Sequence, residues 1–185
     1  MKAQTISSPR PGFSLVELLV VIAILVLLAA VSLPAFNSVT RGSNLQRAGQ
    51  MISDQFALAR QEAVARNRDV MVQFYETTDV INPGWRQVQI LRVEQSAIGE
   101  VRDVQVSRKL TLPDGIVIAT NYSLSPLLGS SGAVRFRPSG SVAGSLSPTN
   151  NYLTLISAGD DDNPPKNFLT LQLNPLTGKA AHYQP

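Results

Sequence analysis

Fourteen consecutive residues, Leu18–Val31, carry no polar side chain, and this run limits what the whole chain can fold into. Phe13, Leu15 and Val16 extend it on one flank and Leu33 on the other; only Ser14, Glu17 and Ser32 interrupt it. From Phe13 to Leu33 there are 21 residues. At ~1.5 Å per helical residue they would cover about 31 Å, the thickness of a bilayer's hydrocarbon core. The length is sufficient to span a membrane.

The rest of the 185 residues has room for one ordinary domain, with enough apolar side chains for a core and too little charge for disorder. No cysteine is present, which excludes disulfides, thiol catalysis and thiolate metal sites. The formal charge of +3 includes Lys2 and Arg10, which precede the apolar run and leave 14 basic against 13 acidic side chains elsewhere. A balance that even gives nucleic-acid binding little support.

Three readings fit residues 1–34: a secretory signal, a plain signal anchor, or a processed leader with its helix. The first needs an apolar core of about 7–15 residues and a small-x-small cleavage site, for which Leu28-Ala29-Ala30-Val31-Ser32 is a candidate, although the apolar stretch is long for it. The order Arg10-Pro11-Gly12-Phe13-Ser14-Leu15-Val16-Glu17-Leu18-Leu19 favours the third. It resembles the type IV prepilin motif, in which a peptidase cuts after a glycine on the cytoplasmic side of the membrane. The resemblance implies Gly12 as the last leader residue and Phe13 as the first mature one, with Lys2 and Arg10 holding the leader inside.

Glu17 is a carboxylate within an apolar segment, which costs about 2.5–3.5 kcal/mol on insertion scales unless it is paired. The resemblance implies its partner, the N-methylated amine of Phe13 on a neighbouring subunit; the plain alternative is a carboxylate that reaches interfacial water. Pro34, at mature position 22, matches a proline that many pilin helices carry. It either kinks the helix or ends it.

Beyond Leu45, apolar residues fall at Leu45, Ala48, Ile52, Phe56, Ala59 and Ala63, intervals of three and four that predict an amphipathic helix reaching Arg66 or Asn67. Asp54 and Arg60 are expected in solvent, Glu62 and Arg66 as an (i, i+4) pair, and Gly42-Ser43-Asn44 as a weak joint. After Asp69 the period changes to two. Strands are expected at 70–75, 85–93, 101–110, 116–120, 133–137, 152–157, 168–173 and 179–183, separated by turn sequences such as Pro113-Asp114-Gly115. The predicted class is α+β, a long N-terminal helix with a membrane half and an amphipathic half, packed on a C-terminal antiparallel β-rich domain.

That arrangement resembles the pilin fold. More narrowly, Ala59-Arg60-Gln61-Glu62-Ala63, Val134-Arg135-Phe136-Arg137-Pro138-Ser139-Gly140 and Leu176-Thr177-Gly178-Lys179 look like the GspH/FimT group of minor pilins and pseudopilins. The resemblance implies a leader at 1–12, a transmembrane and filament-core helix at 13–34, an amphipathic helix at 35–68 and a β-rich globular domain at 69–185. Neither an enzyme nor a cofactor is expected, since the residues offer no nucleophile, base and orienting group together. The partners the resemblance implies are other pilin or pseudopilin subunits through the N-terminal helix, a prepilin peptidase, and the inner membrane before assembly. The expected location is a single pass of the bacterial inner membrane with the C-terminal domain periplasmic or extracellular, and later a pilus or pseudopilus. The alternatives are a bitopic envelope protein with a ligand-binding β-domain and a minor pilin for DNA uptake.

Other chemistry is thin. His182 is the only histidine, and the serines between 123 and 147 lack a G-x-S-x-G elbow. Asp160, Asp161 and Asp162 form a carboxylate run that is a weak calcium candidate and does not match an EF-hand; consecutive aspartates also make a solvated turn. Arg135, Arg137 and Lys179 are the basic residues of the two C-terminal motifs, fewer than phosphate binding usually needs, and nucleic acid is not expected as a partner.

Overall fold

The structure, a computed structural model, describes residues 12–78, 84–95, 101–119, 123–144, 147–160, 162 and 165–184, with backbone alone at 31–39, 95 and 101. Lys2, Arg10 and Asp161 lie outside the described residues. The chain divides into two compact units, Met1–Thr40 and Arg41–Pro185. One helix, α1 (Leu15–Arg66, 52 residues), contributes to both.

In the first unit every described apolar side chain of the helix is exposed, from Leu15 at 81% to Val21 at 47%. This half presents apolar surface all round and buries none of it within its own unit. The helix does not stop at Pro34; helical backbone continues past it, as a proline removes a single i→i−4 bond and the neighbouring turns hold. It also runs through Gly42-Ser43-Asn44, so the expected joint is ordinary helix. Among the described residues no helix is long and apolar enough to cross a membrane.

In the second unit the stripe predicted by spacing is the buried one: Leu45, Ala48, Ile52, Phe56, Ala59 and Ala63 are each at most 1% exposed. The helix ends in a Schellman motif. Asn67 adopts φ 51°, its N–H donates to Val64 O at 3.4 Å, and Arg68 N–H donates to Ala63 O at 3.2 Å. Two carbonyls the helix would leave bare are thereby capped, with asparagine in the place glycine usually takes.

The strands are β1 (Val70–Thr77), β2 (Gly84–Gln95), β3 (Val101–Gln105), β4 (Leu110–Thr111), β5 (Ile116–Ile118), β6 (Ala133–Phe136), β7 (Tyr152–Ser157), β8 (Phe168–Leu173) and β9 (Ala180–Tyr183). They form one antiparallel sheet in the order β6-β1-β2-β5-β7-β8-β9, with β3 and β4 also bonded to the long β2. Alternation sets the inner face: Val70, Val72 and Phe74 of β1 and Leu169, Leu171 and Leu173 of β8 are buried against the helical stripe. Phe56 sits among the sheet aromatics, 6.2 Å from Phe74 in an edge-on pair and 5.9 Å from Phe136.

The segment 101–110, expected as one strand, is two. Val106 and Ser107 both donate N–H to Ile90 O, at 3.0 and 3.3 Å, while Ser107 Oγ accepts from Ile90 N–H at 3.0 Å. Two residues opposing one is a bulge, and its serine completes the interrupted ladder.

Candidate functional site

The N-terminal motif is built around a helix start. Gly12, Phe13 and Ser14 precede α1 in non-helical backbone, and Phe13 is 79% exposed. Ser14 is the N-cap: its carbonyl accepts from Leu18 N–H at 3.2 Å and its hydroxyl oxygen from Glu17 N–H at 3.1 Å. Serine followed three residues later by glutamate is the capping-box spacing. This function of Ser14 was legible as S-x-x-E, a signal masked by reading Glu17 only as a charge in an apolar run. Glu17 is exposed in the first turn, where the helix's positive end favours a carboxylate. A Cβ added at Gly12 would meet nothing within 4 Å.

A second constellation joins the three motifs of the globular unit. Arg60 was expected in solvent, but its side chain is half-buried under the turns carrying Gly140 and Gly178. Gly140 (φ 81°) and Gly178 (φ 63°) both have left-handed backbone. A Cβ at Gly178 would lie 2.6 Å from Gly140 O, 2.9 Å from Arg60 Cδ and 3.1 Å from Phe136 Cε1; one at Gly140 would lie 3.2 Å from Arg60 Nε. Spacing along a helix could not show this, because residues 80 and 118 positions away supply the cover.

Alongside, Glu62 accepts from Arg92 at 3.0 Å and pairs with Arg66 at 3.3 Å, the expected helical pair. Glu94 holds Arg92 at 2.6 Å, and its hydrogen bond, followed by its charge and by Glu62, raises the Arg92 pKa against a partial loss of hydration. Arg86, unremarked in the sequence, is 2% exposed and donates from Nε to Ile116 O (3.1 Å) and from Nη2 to Leu112 O (3.2 Å) and Pro113 O (3.1 Å). Asn44 Nδ2 donates to Asp114 O on the same loop at 3.1 Å, tying it to α1.

The weaker candidates acquire ordinary surroundings. Asp160 accepts from the N–H groups of Asp162 and Lys166, both at 3.3 Å, and Asp162 pairs with Lys166 at 2.8 Å, as in a turn. No group of three metal-ligating side chains is assembled among the described residues. Arg135 lies 3.8 Å from Asp69, while Arg137 and Lys179 are exposed. His182 Nε2 is 2.5 Å from Ser53 Oγ and straps β9 to the helix. An open cleft of about 590 Å³ beside β8 and β9 has Asn151, Gln172, Lys179 and Tyr183 in its lining, with Gln172 Nε2 donating to Asn151 Oδ1 at 3.3 Å.

A capped helix whose described N-terminal apolar side chains are exposed, and an antiparallel sheet laid over its C-terminal half, are the architecture of the pilin fold. Residues 8–33 match the prokaryotic N-terminal methylation motif, and residues 48–176 match the model of the type II transport protein GspH. The latter spans more than half of the chain, and the protein belongs to the GspH family. It is thus a minor pseudopilin or pilin, an assembly subunit of a type II secretion or type IV pilus filament, as the sequence resemblance implied. Such subunits are envelope-associated, assemble with other pilin subunits and are processed by prepilin peptidase; the family is structural.

Among solved structures, the chain is similar to the minor pseudopilin EpsH from the type II secretion system of Vibrio cholerae, at 15% identity over 77% of this chain and 98% of that one, with a TM-score of 0.46. It is also similar to the type IV minor pilin FimU of Pseudomonas aeruginosa, at 16% identity over 77% of this chain and 93% of that one, with a TM-score of 0.45. No curated protein matches it by sequence.

Proposed function

We propose that the chain is made as a precursor, held in the inner membrane by Phe13–Leu33, cut after Gly12 and methylated on the new amine of Phe13. Glu17 then pairs with that amine on a neighbouring subunit as the helix leaves lipid for the filament core. Lipid and core are equally apolar, so transfer has little hydrophobic driving force and specificity falls to polar pairing and helix packing. The Phe13–Leu33 anchor rests on the apolar run in the sequence and on the exposed side chains of its described part.

The observation that carries this reading is the Gly12-Phe13 junction. It lies in exposed, non-helical backbone directly before a capped helix start, where a peptidase has access to the bond. Among the described residues nothing lies within 4 Å of a Cβ added at Gly12, so their packing supplies no reason for a glycine there. Recognition by a peptidase supplies one. Glu17 is exposed in the first turn of the helix, where it can meet a cation on another subunit.

Coexpression with a prepilin peptidase, read by intact mass, tests the proposal. Loss of residues 1–12 with one added methyl group is expected, and Gly12→Val is expected to stay uncut. Glu17→Gln is expected to be cut yet excluded from sheared filaments. An uncut wild-type chain would leave residues 13–33 as a passive anchor and end the proposal.

A further inference from the structure

Arg60 is a charged side chain, half-buried and without a partner among the described residues. Its Nε is buried and has no hydrogen-bond acceptor among the described residues, and no described carboxylate pairs with it. Glu62, the acidic residue nearest to it in the α1 sequence, is engaged by Arg66 and Arg92. The stem cannot swing away freely, since Gly178 closes over Cδ and Gly140 over Nε. The turn above is itself fixed: Asn174 Oδ1 accepts from the N–H groups of Leu176 and Thr177, each at 3.0 Å, and Gly178 N–H donates to Asn174 O at 2.8 Å.

The surroundings are those of a contact surface. Arg60, Gln61, Val64 and Ala65 line a shallow hollow of about 250 Å³. Val64, 51% exposed, also reaches Gly140, and Leu176, 82% exposed, projects from the turn that carries Gly178. A partly desolvated guanidinium with apolar neighbours is the arrangement in which a charge-assisted, two-pronged bond to a carboxylate is strong. Because the stem is already ordered, binding sacrifices little rotamer freedom.

We infer that Arg60, in the hollow it lines with Gln61, Val64 and Ala65, is a docking site for a carboxylate side chain on the globular domain of a neighbouring filament subunit. The inference rests on the chain's assembly as a filament subunit and adds a lateral contact to the one made by the N-terminal helix. Charge complementarity selects the occupant: an acidic side chain entering the hollow compensates a guanidinium that no described carboxylate pairs, whereas a neutral carbonyl would leave the charge uncompensated.

The test uses the full chain in cells that assemble filaments, with a photo-cross-linking amino acid at position 176 and, separately, at position 28 of the helix. Position 176 is expected to cross-link to another pilin-type subunit, through a peptide that mass spectrometry shows to contain Asp or Glu. Arg60→Gln is expected to lower that product about tenfold or more while leaving the product at position 28 in place. Arg60→Glu combined with reversal of the identified acid to Arg should restore it. If Arg60→Gln reduced folding instead, Val64→Ser in the wild-type Arg60 background serves as the second variant, since its side chain is half exposed; a loss confined to position 176 is expected. A product at position 176 unchanged by both variants overturns the docking site and leaves filament assembly standing. Absence of products at both positions overturns the site together with the assembly reading.

Discussion

Arg86→Met removes a buried guanidinium whose work is to satisfy backbone carbonyls. Three of them, Leu112, Pro113 and Ile116, accept from it at 3.1–3.2 Å, and the arginine is 2% exposed. Methionine fills the space of the stem but donates nothing. An orphaned buried acceptor costs about 1–3 kcal/mol, and water reaching part of the Pro113-Asp114 turn relieves some of this, so we expect a loss of about 3–4 kcal/mol. Trp85, the single tryptophan, is adjacent and reports unfolding of this unit by fluorescence. With an m-value of about 2 kcal/mol/M, the urea midpoint should fall by roughly 1.5–2 M. Asp114→Asn is the control, because the aspartate side chain is 96% exposed and its 3.4 Å contact with Arg86 is solvent-screened; its midpoint should hardly move. A loss below about 1 kcal/mol for Arg86→Met, or an equal loss for Asp114→Asn, would falsify the carbonyl-clamp argument.

Phe56→Ala empties the contact with Phe74 and Phe136 and should lose about 3–5 kcal/mol by the same urea assay. Asn67→Ala should lose about 1 kcal/mol at the left-handed cap, whereas Asn67→Gly should match or exceed wild type; equal losses for both would refute the Schellman reading. Burial, and then the negative charge of Asp103, raise the Tyr75 pKa above the usual value of 10.0. The neutral phenol is thus the form the fold prefers. Its contribution is intact below pH ~10 and lost as pH rises through the unfolded and then the folded pKa. Tyr75→Phe should flatten that alkaline fall in stability measured across pH 9–11.

What was legible in the chain before its structure depended on local repetition. Leu45, Ala48, Ile52, Phe56, Ala59 and Ala63 announce their shared face because a helix returns to the same side every 3.6 residues. The pairing of Glu62 with Arg66 follows from the same geometry, and the strands from alternation and turn residues. The family was carried by short ordered strings, of which the N-terminal methylation motif is the strongest.

Properties that depend on distant cover were not legible. Arg60 looks like a solvated cation in the sequence and Arg86 carries no signal at all; only the turns at 138–140, 175–178 and 112–116, folded over them, make one a caged guanidinium and the other a carbonyl clamp. The split between β3 and β4 likewise required Ile90 to meet Val106 and Ser107 together. The order of apolar and polar residues was enough to specify which elements form and which faces they bury, because those preferences act over a few bonds. Tertiary structure alone decided which charges lose their water and what they find instead, since desolvation is a property of neighbours brought from elsewhere in the chain.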